Sequence, residues 1–235
     1  MTARLPLLRV LLTAHVSFGF VLWLPLMLLS ALIVTGIGIW GEVDRSIWHY
    51  LATQAPRWFA LGVGVDAINT YLRLNLAHGR TRRDFLRQLW SYLPGLAVCL
   101  AVLVTAGYQL ERGAYALLGW DHRLAYPSVF GDTGNVLGIL GSFSVVLLLW
   151  ATAGVLIAAG FTRGRLLGIA TVPFGLVLVA PGEVLTGFNG STLLELVTLT
   201  SPVLPTVAIC LGLAVLACAA TWGIVRDIPL RAKVA

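Results

Sequence analysis

Lysine is almost missing from this chain. Of its 16 basic residues only Lys233 is a lysine, so no segment can supply the Gly-Lys-Ser/Thr of a nucleotide-binding P-loop. ATP hydrolysis by that route is excluded. Charge of either sign is scarce as well: Asp, Glu, Lys and Arg make up 11% of the 235 residues, against about 25% in an average soluble domain. Such a chain lacks the polar surface to coat a water-soluble particle. Cysteine is limited to Cys99, Cys210 and Cys218, all inside apolar runs, where they act as small packing residues and offer no disulfide or metal framework. The histidines, His15, His49, His78 and His122, are scattered over a helix entrance and loops, and Gly-x-Ser-x-Gly, His-Glu-x-x-His and paired acidic motifs are absent. Enzyme chemistry within the chain is therefore not expected, nor is a metal or cofactor of its own.

What the sequence does contain is apolar. Hydrophobic residues make up 58% of the chain and its mean hydropathy is +0.90. Uncharged runs of bilayer-spanning length fall at 17–39, 92–110, 134–161 and 202–225. Two weaker runs lie at 58–76, which contains Asp66, and at 166–185, which ends in Pro181, Gly182 and Glu183. The expected fold is an all-α polytopic membrane protein, one transmembrane domain over 1–235 with six spans. With six spans and an internal N-terminus, 12 of the 16 basic residues fall on one side, including Arg80, Arg82, Arg83, Arg87, Arg163, Arg165 and Arg226. Arg45, Arg57, Arg112 and Arg123 fall on the other, together with acids that include Glu111 and Glu183. The positive-inside bias then makes the basic side, with both termini, cytoplasmic. Leu5, Leu8 and Leu12 at helical spacing beside Arg4 and Arg9 predict an interfacial helix over 3–13, a frayed tail being the other reading; no cleavable signal peptide is expected.

The richest segment lies between the second and third runs. Gly79 suits a helix stop, and Thr81 with Asp84 three residues on resembles a capping box, so a short helix is expected over 81–90. Phe85, Leu86, Leu89 and Trp90 share one face of it, while Arg80, Arg83 and Arg87 project elsewhere. Physics alone reads this as arginines anchored on anionic lipid, or as a docking element for a partner.

Gly79-Arg80-Thr81-Arg82-Arg83-Asp84-Phe85 resembles the Gly-x-Thr-Arg-Arg-x-Phe stretch after the second span of bacterial ATP-binding cassette export permeases of the compact six-helix class, type V or ABC-2. The layout of the chain is similar to that family too. The resemblance implies a transmembrane permease subunit of the bacterial cytoplasmic membrane that forms the pathway for a drug, peptide or lipid-like substrate. It implies two partners, a separate ATPase subunit that holds ATP and Mg, and a second permease subunit, identical or homologous. It also implies that 81–90 is the coupling helix, with Arg82, Arg83, Phe85 and Arg87 at the ATPase. Membrane lipid is the remaining partner, and no nucleic acid is expected.

Asp66 lies eight residues past Trp58, about 12 Å into the second run, where an ionised carboxylate costs about 2.5–3.5 kcal/mol. Asn69, Thr70 and Arg73 follow at i+3, i+4 and i+7 on the same face. They predict either a polar seam along the translocation path or subunit interface, or an internal Asp–Asn or Asp–Arg pair that fixes packing. A proton-coupled secondary transporter using Asp66, and a non-transporting accessory or immunity subunit, are the rival functions.

Overall fold

A computed structural model describes residues 6–41, 43–186 and 203–226. All regular elements among them are helical. They are α1 (Pro6–Trp40), α2 (Ile47–Asp66) continued by a π-helical turn (Ala67–Leu72) into α3 (Arg73–Ala77), then α4 (Arg82–Leu118), α5 (Val136–Arg163), α6 (Arg165–Thr186) and α7 (Val203–Arg226). Five helices are long and apolar enough to cross a membrane: α1 from Leu11, α4, α5, α6, and α7 from Leu204. The stretch predicted as the second span, 58–76, is helical but is not among the five. His49, Gln54, Arg57 and Asp66 interrupt the apolar character of α2. From residue 187 the predicted external segment 182–202 lies outside the described residues, as do residues 3–5 of the interfacial helix and the tail with Arg231 and Lys233.

Two expected breaks do not occur. The interfacial helix and the first span form one 35-residue helix that begins with Pro6 at its first position, where the missing N–H leaves no bond unmade. No glycine or proline stands between Pro6 and Gly19 to stop it. The short helix 81–90 and the third span, predicted over 92–110, are likewise one 37-residue helix, α4, about 55 Å long. The Thr81 hydroxyl accepts from the Asp84 N–H at 3.1 Å and donates to the Asp84 carboxylate at 2.7 Å, so the cap that starts a short helix starts a long one. Gly119, at φ 72°, closes the far end in the left-handed conformation that glycine alone adopts at little cost.

The bundle is built around α5, 72% of whose apolar window is buried, and it packs against α2, α4, α6 and α7. By contrast α1 is peripheral, 11% buried, with Phe18, Leu28 and Leu32 facing outward. Indole N–H groups fasten α1 and α2 to α4, Trp23 donating to the Leu103 carbonyl at 2.7 Å and Trp48 to the Val104 carbonyl at 3.0 Å. The closest approach is between α2 and α5. A Cβ on Gly64 would collide with the Ala151 carbonyl oxygen, and a Cβ on Gly154 with the Leu61 carbonyl oxygen. Backbone meets backbone there, which two glycines permit.

Candidate functional site

Polar groups inside an apolar bundle are costly unless paired, so their placement is the strongest pointer to function. They form four groups. At the arginine-rich end, Phe85, Leu86 and Leu89 on the first turns of α4 are 1–2% exposed, packed into the core and not spread on lipid. Arg83 and Arg87 are exposed. Arg82 donates from Nη1 to the Arg226 carbonyl at 2.7 Å and so ties the start of α4 to the last turn of α7. Of the four predicted ATPase contacts, Arg83 and Arg87 are free to meet a partner's surface. Phe85 is buried and can only anchor the helix beneath them.

The predicted seam of Asp66, Asn69, Thr70 and Arg73 sits at the π turn. Asn69, Thr70 and Arg73 are exposed on the outside of the bundle, and Asp66 is half-buried. The Asp66 carboxylate accepts from Thr70 Oγ1 at 2.6 Å, and on its other oxygen faces His15 Nε2 of α1 at 3.8 Å. These partners replace the expected Asn69 or Arg73, because the wider π turn changes the angular phase along which i+3 and i+7 were counted.

A third group was not foreseen as a unit. Arg57 and Glu183, both expected on the external side, form an ion pair within the bundle, their side chains 1% and 7% exposed. Arg57 also bonds Thr186, and Trp150 Nε1 donates to the second Glu183 oxygen at 2.9 Å, so α2, α5 and α6 meet on one carboxylate. One sequence signal does point here. His49, Thr53 and Arg57 recur at i, i+4 and i+8, and all three are buried on the inner face of α2. His49 lies before the predicted span and contacts the Tyr108 hydroxyl at 2.7 Å.

The fourth group organises the loop end. Glu111 of α4 accepts from Ser46 Oγ, from the Trp48 N–H in the first turn of α2 at 2.9 Å, and bonds His122 Nε2 at 2.9 Å. His122 Nδ1 in turn reaches Thr133 Oγ1 at 3.0 Å. One carboxylate thus caps α2 and holds the connection between α4 and α5. Glu111→Leu would orphan these donors at about 1–3 kcal/mol each, and is expected to lower the thermal midpoint in detergent by roughly 2–4 °C per kcal/mol. An unchanged midpoint would refute the hub role.

Among the described residues no three His, Cys, Asp or Glu side chains gather as metal ligands would. No known protein family, curated protein or solved structure matches this chain. Fold and composition define its class, an α-helical chain with five helices suited to spanning a membrane.

Proposed function

We propose that this chain is the transmembrane subunit of an ATP-binding cassette exporter, working as a pair of such subunits, identical or homologous, with two copies of a separate ATPase. ATP and Mg belong to that ATPase. In this reading the chain is an inner-membrane protein of bacteria, the helix α2–α3 is the sixth span, and the arginine-rich end with both termini faces the cytoplasm.

The observation that carries the reading is the construction of α4. Arg83 and Arg87 are exposed at its start, while Phe85, Leu86 and Leu89 lock the same turns into the core. The helix then continues, with Pro94 inside it, to Leu118, past Glu111 at the opposite end. A load applied to the arginines is delivered across the whole bundle, which is what a mechanical coupler requires. Lipid anchoring alone would not require the apolar face to be buried in protein.

Exchanging Arg83 and Arg87 together for Glu tests this. The double variant should insert into the membrane normally yet lose copurification of the ATPase, because the contact changes from attraction to repulsion. Arg82 is left intact, since its bond to Arg226 makes it part of the fold. ATPase binding and ATP-dependent export at the parent rate in the double variant would overturn the coupling assignment.

A further inference from the structure

A cavity of about 140 Å³ lies between α1, α2 and α4, walled by Leu22 and Trp23 of α1, Ala55 and Phe59 of α2, and Leu100 and Val104 of α4. These side chains are all apolar. The two indoles that border the space, Trp23 and Trp48, use their N–H groups on the Leu103 and Val104 carbonyls at 2.7 and 3.0 Å, so no side-chain donor is left to face it. A water molecule needs about two to four polar partners to settle in such a place, and dry cavities of about 150 Å³ take up small hydrocarbons instead.

The walls are fixed in shape. Trp48 lies in the notch left by Gly107, where a Cβ would collide with its indole, and Trp23 meets Trp48 edge-on with centroids 6.4 Å apart. Helix α1 closes on α4 at Gly19, where a Cβ would stand 2.9 Å from the Leu100 side chain. The space is thus preformed, as ligand cavities are. Its rim lies on the flank of the bundle: Leu22 is 39% exposed, and α1 is the least buried of the five helices suited to spanning a membrane. In a bilayer the matter at that rim is hydrocarbon.

We propose that this cavity binds the methyl end of one lipid acyl chain, inserted from the bilayer past Leu22. A headgroup would find no polar partner there, whereas a chain end needs none. Seated among the three helices, the chain wedges the peripheral α1 against α2 and α4. The inference rests on the membrane class of the chain and is independent of the export reading.

A phosphatidylcholine carrying a diazirine at the end of one acyl chain tests this in lipid nanodiscs. Leu100 and Val104 are 4% and 2% exposed, so lipid that only coats the bundle cannot reach them, whereas Leu28 and Leu32, at 64% and 71%, meet any surrounding lipid. Photolysis should label Leu100 or Val104 as well as the outward leucines, and the same lipid with its diazirine on the headgroup should label neither inner residue. Ala55→Phe, which sets a ring into the cavity, should lose the inner label and keep the outer one. Absence of the inner label in the parent, inner labelling by the headgroup probe, or an inner label of full strength in Ala55→Phe would overturn the proposal. Inner labelling by a small aryl diazirine but not by the lipid would make the cavity a site for aromatic molecules and equally overturn the acyl-chain assignment. Should Ala55→Phe not fold, Leu26→Phe brings the ring from α1, and the parent's contrast between chain-end and headgroup probes decides by itself.

Discussion

Gly154→Ala should remove most of the folded protein, although it adds a single methyl group. The new Cβ would lie inside the contact radius of the Leu61 carbonyl oxygen, and its neighbours are backbone atoms of α2 that no rotamer change can move aside. Gly64→Ala meets the mirror problem against Ala151, with Val155 N a further 2.9 Å contact. Ordinary overpacking of a core costs about 1–3 kcal/mol, and here the strain falls on two helices that must separate along their length to relieve it. Separation would also pull Arg57 of α2 away from Glu183 of α6, since α5 lies against both. Gly62 provides the internal control. It lies on the same helix with open space around its Cβ position, and alanine there gains about 1 kcal/mol of helix propensity. The expected order of thermal midpoints is Gly62→Ala at or above the parent, with Gly64→Ala and Gly154→Ala far below. Equal stability of Gly154→Ala and the parent would mean that α2 and α5 are not in backbone contact.

These close approaches mark the boundary of what the sequence makes legible. The apolar runs were readable because exclusion of charge over about 20 residues is a local property of the chain. The runs at 134–161 and 166–185 correspond to α5 and α6 within two residues at every end. Helix starts at Thr81 and stops at Gly79 were readable for the same reason, since capping is settled within four residues. The junctions near residue 16 and residue 91 were not. A change from interface to bilayer surroundings alters what a helix touches without altering the helix; the first junction has no proline beside it, and at the second Pro94 and Gly95 stand in the sequence yet α4 runs through them. Pairings between distant residues were hidden for a different reason. Nothing near Asp66 indicates that a histidine 51 positions earlier, His15, will face it, and the charge count that placed Arg57 and Glu183 on the same side could not tell a solvated arginine from one buried against a carboxylate. Only the i, i+4, i+8 stripe of His49, Thr53 and Arg57 carried that information, and a span drawn from residue 58 onward left it in a loop.

That buried pair yields the second large effect. Arg57→Met should destabilise the protein by about 3–5 kcal/mol, because it leaves the Glu183 carboxylate inside the bundle with Trp150 as its remaining donor from α5. Glu183→Gln should cost less, since an amide can still accept from Trp150 and from Arg57, but it strands a guanidinium charge. The informative variant is the double one. Arg57→Met with Glu183→Leu removes both charges and fills the space with apolar atoms, and such replacements of buried pairs are commonly neutral or stabilising. A double-mutant cycle on thermal midpoints should therefore return a coupling of several kcal/mol, with the double variant close to the parent. If the chain exports a substrate as proposed, a transport assay then separates two reasons for keeping the pair. If the double variant folds and exports normally, the pair serves packing and its cost is simply offset by Thr186 and Trp150. If it folds but exports nothing, the bond between α2 and α6 must break and re-form during the cycle. If the chain is an exporter as proposed, the second outcome is the one expected, because Arg57, midway along α2, and Glu183, in the last turn of α6, join two helices through one bond, and an apolar core of equal stability would hold them together without a point at which they can part.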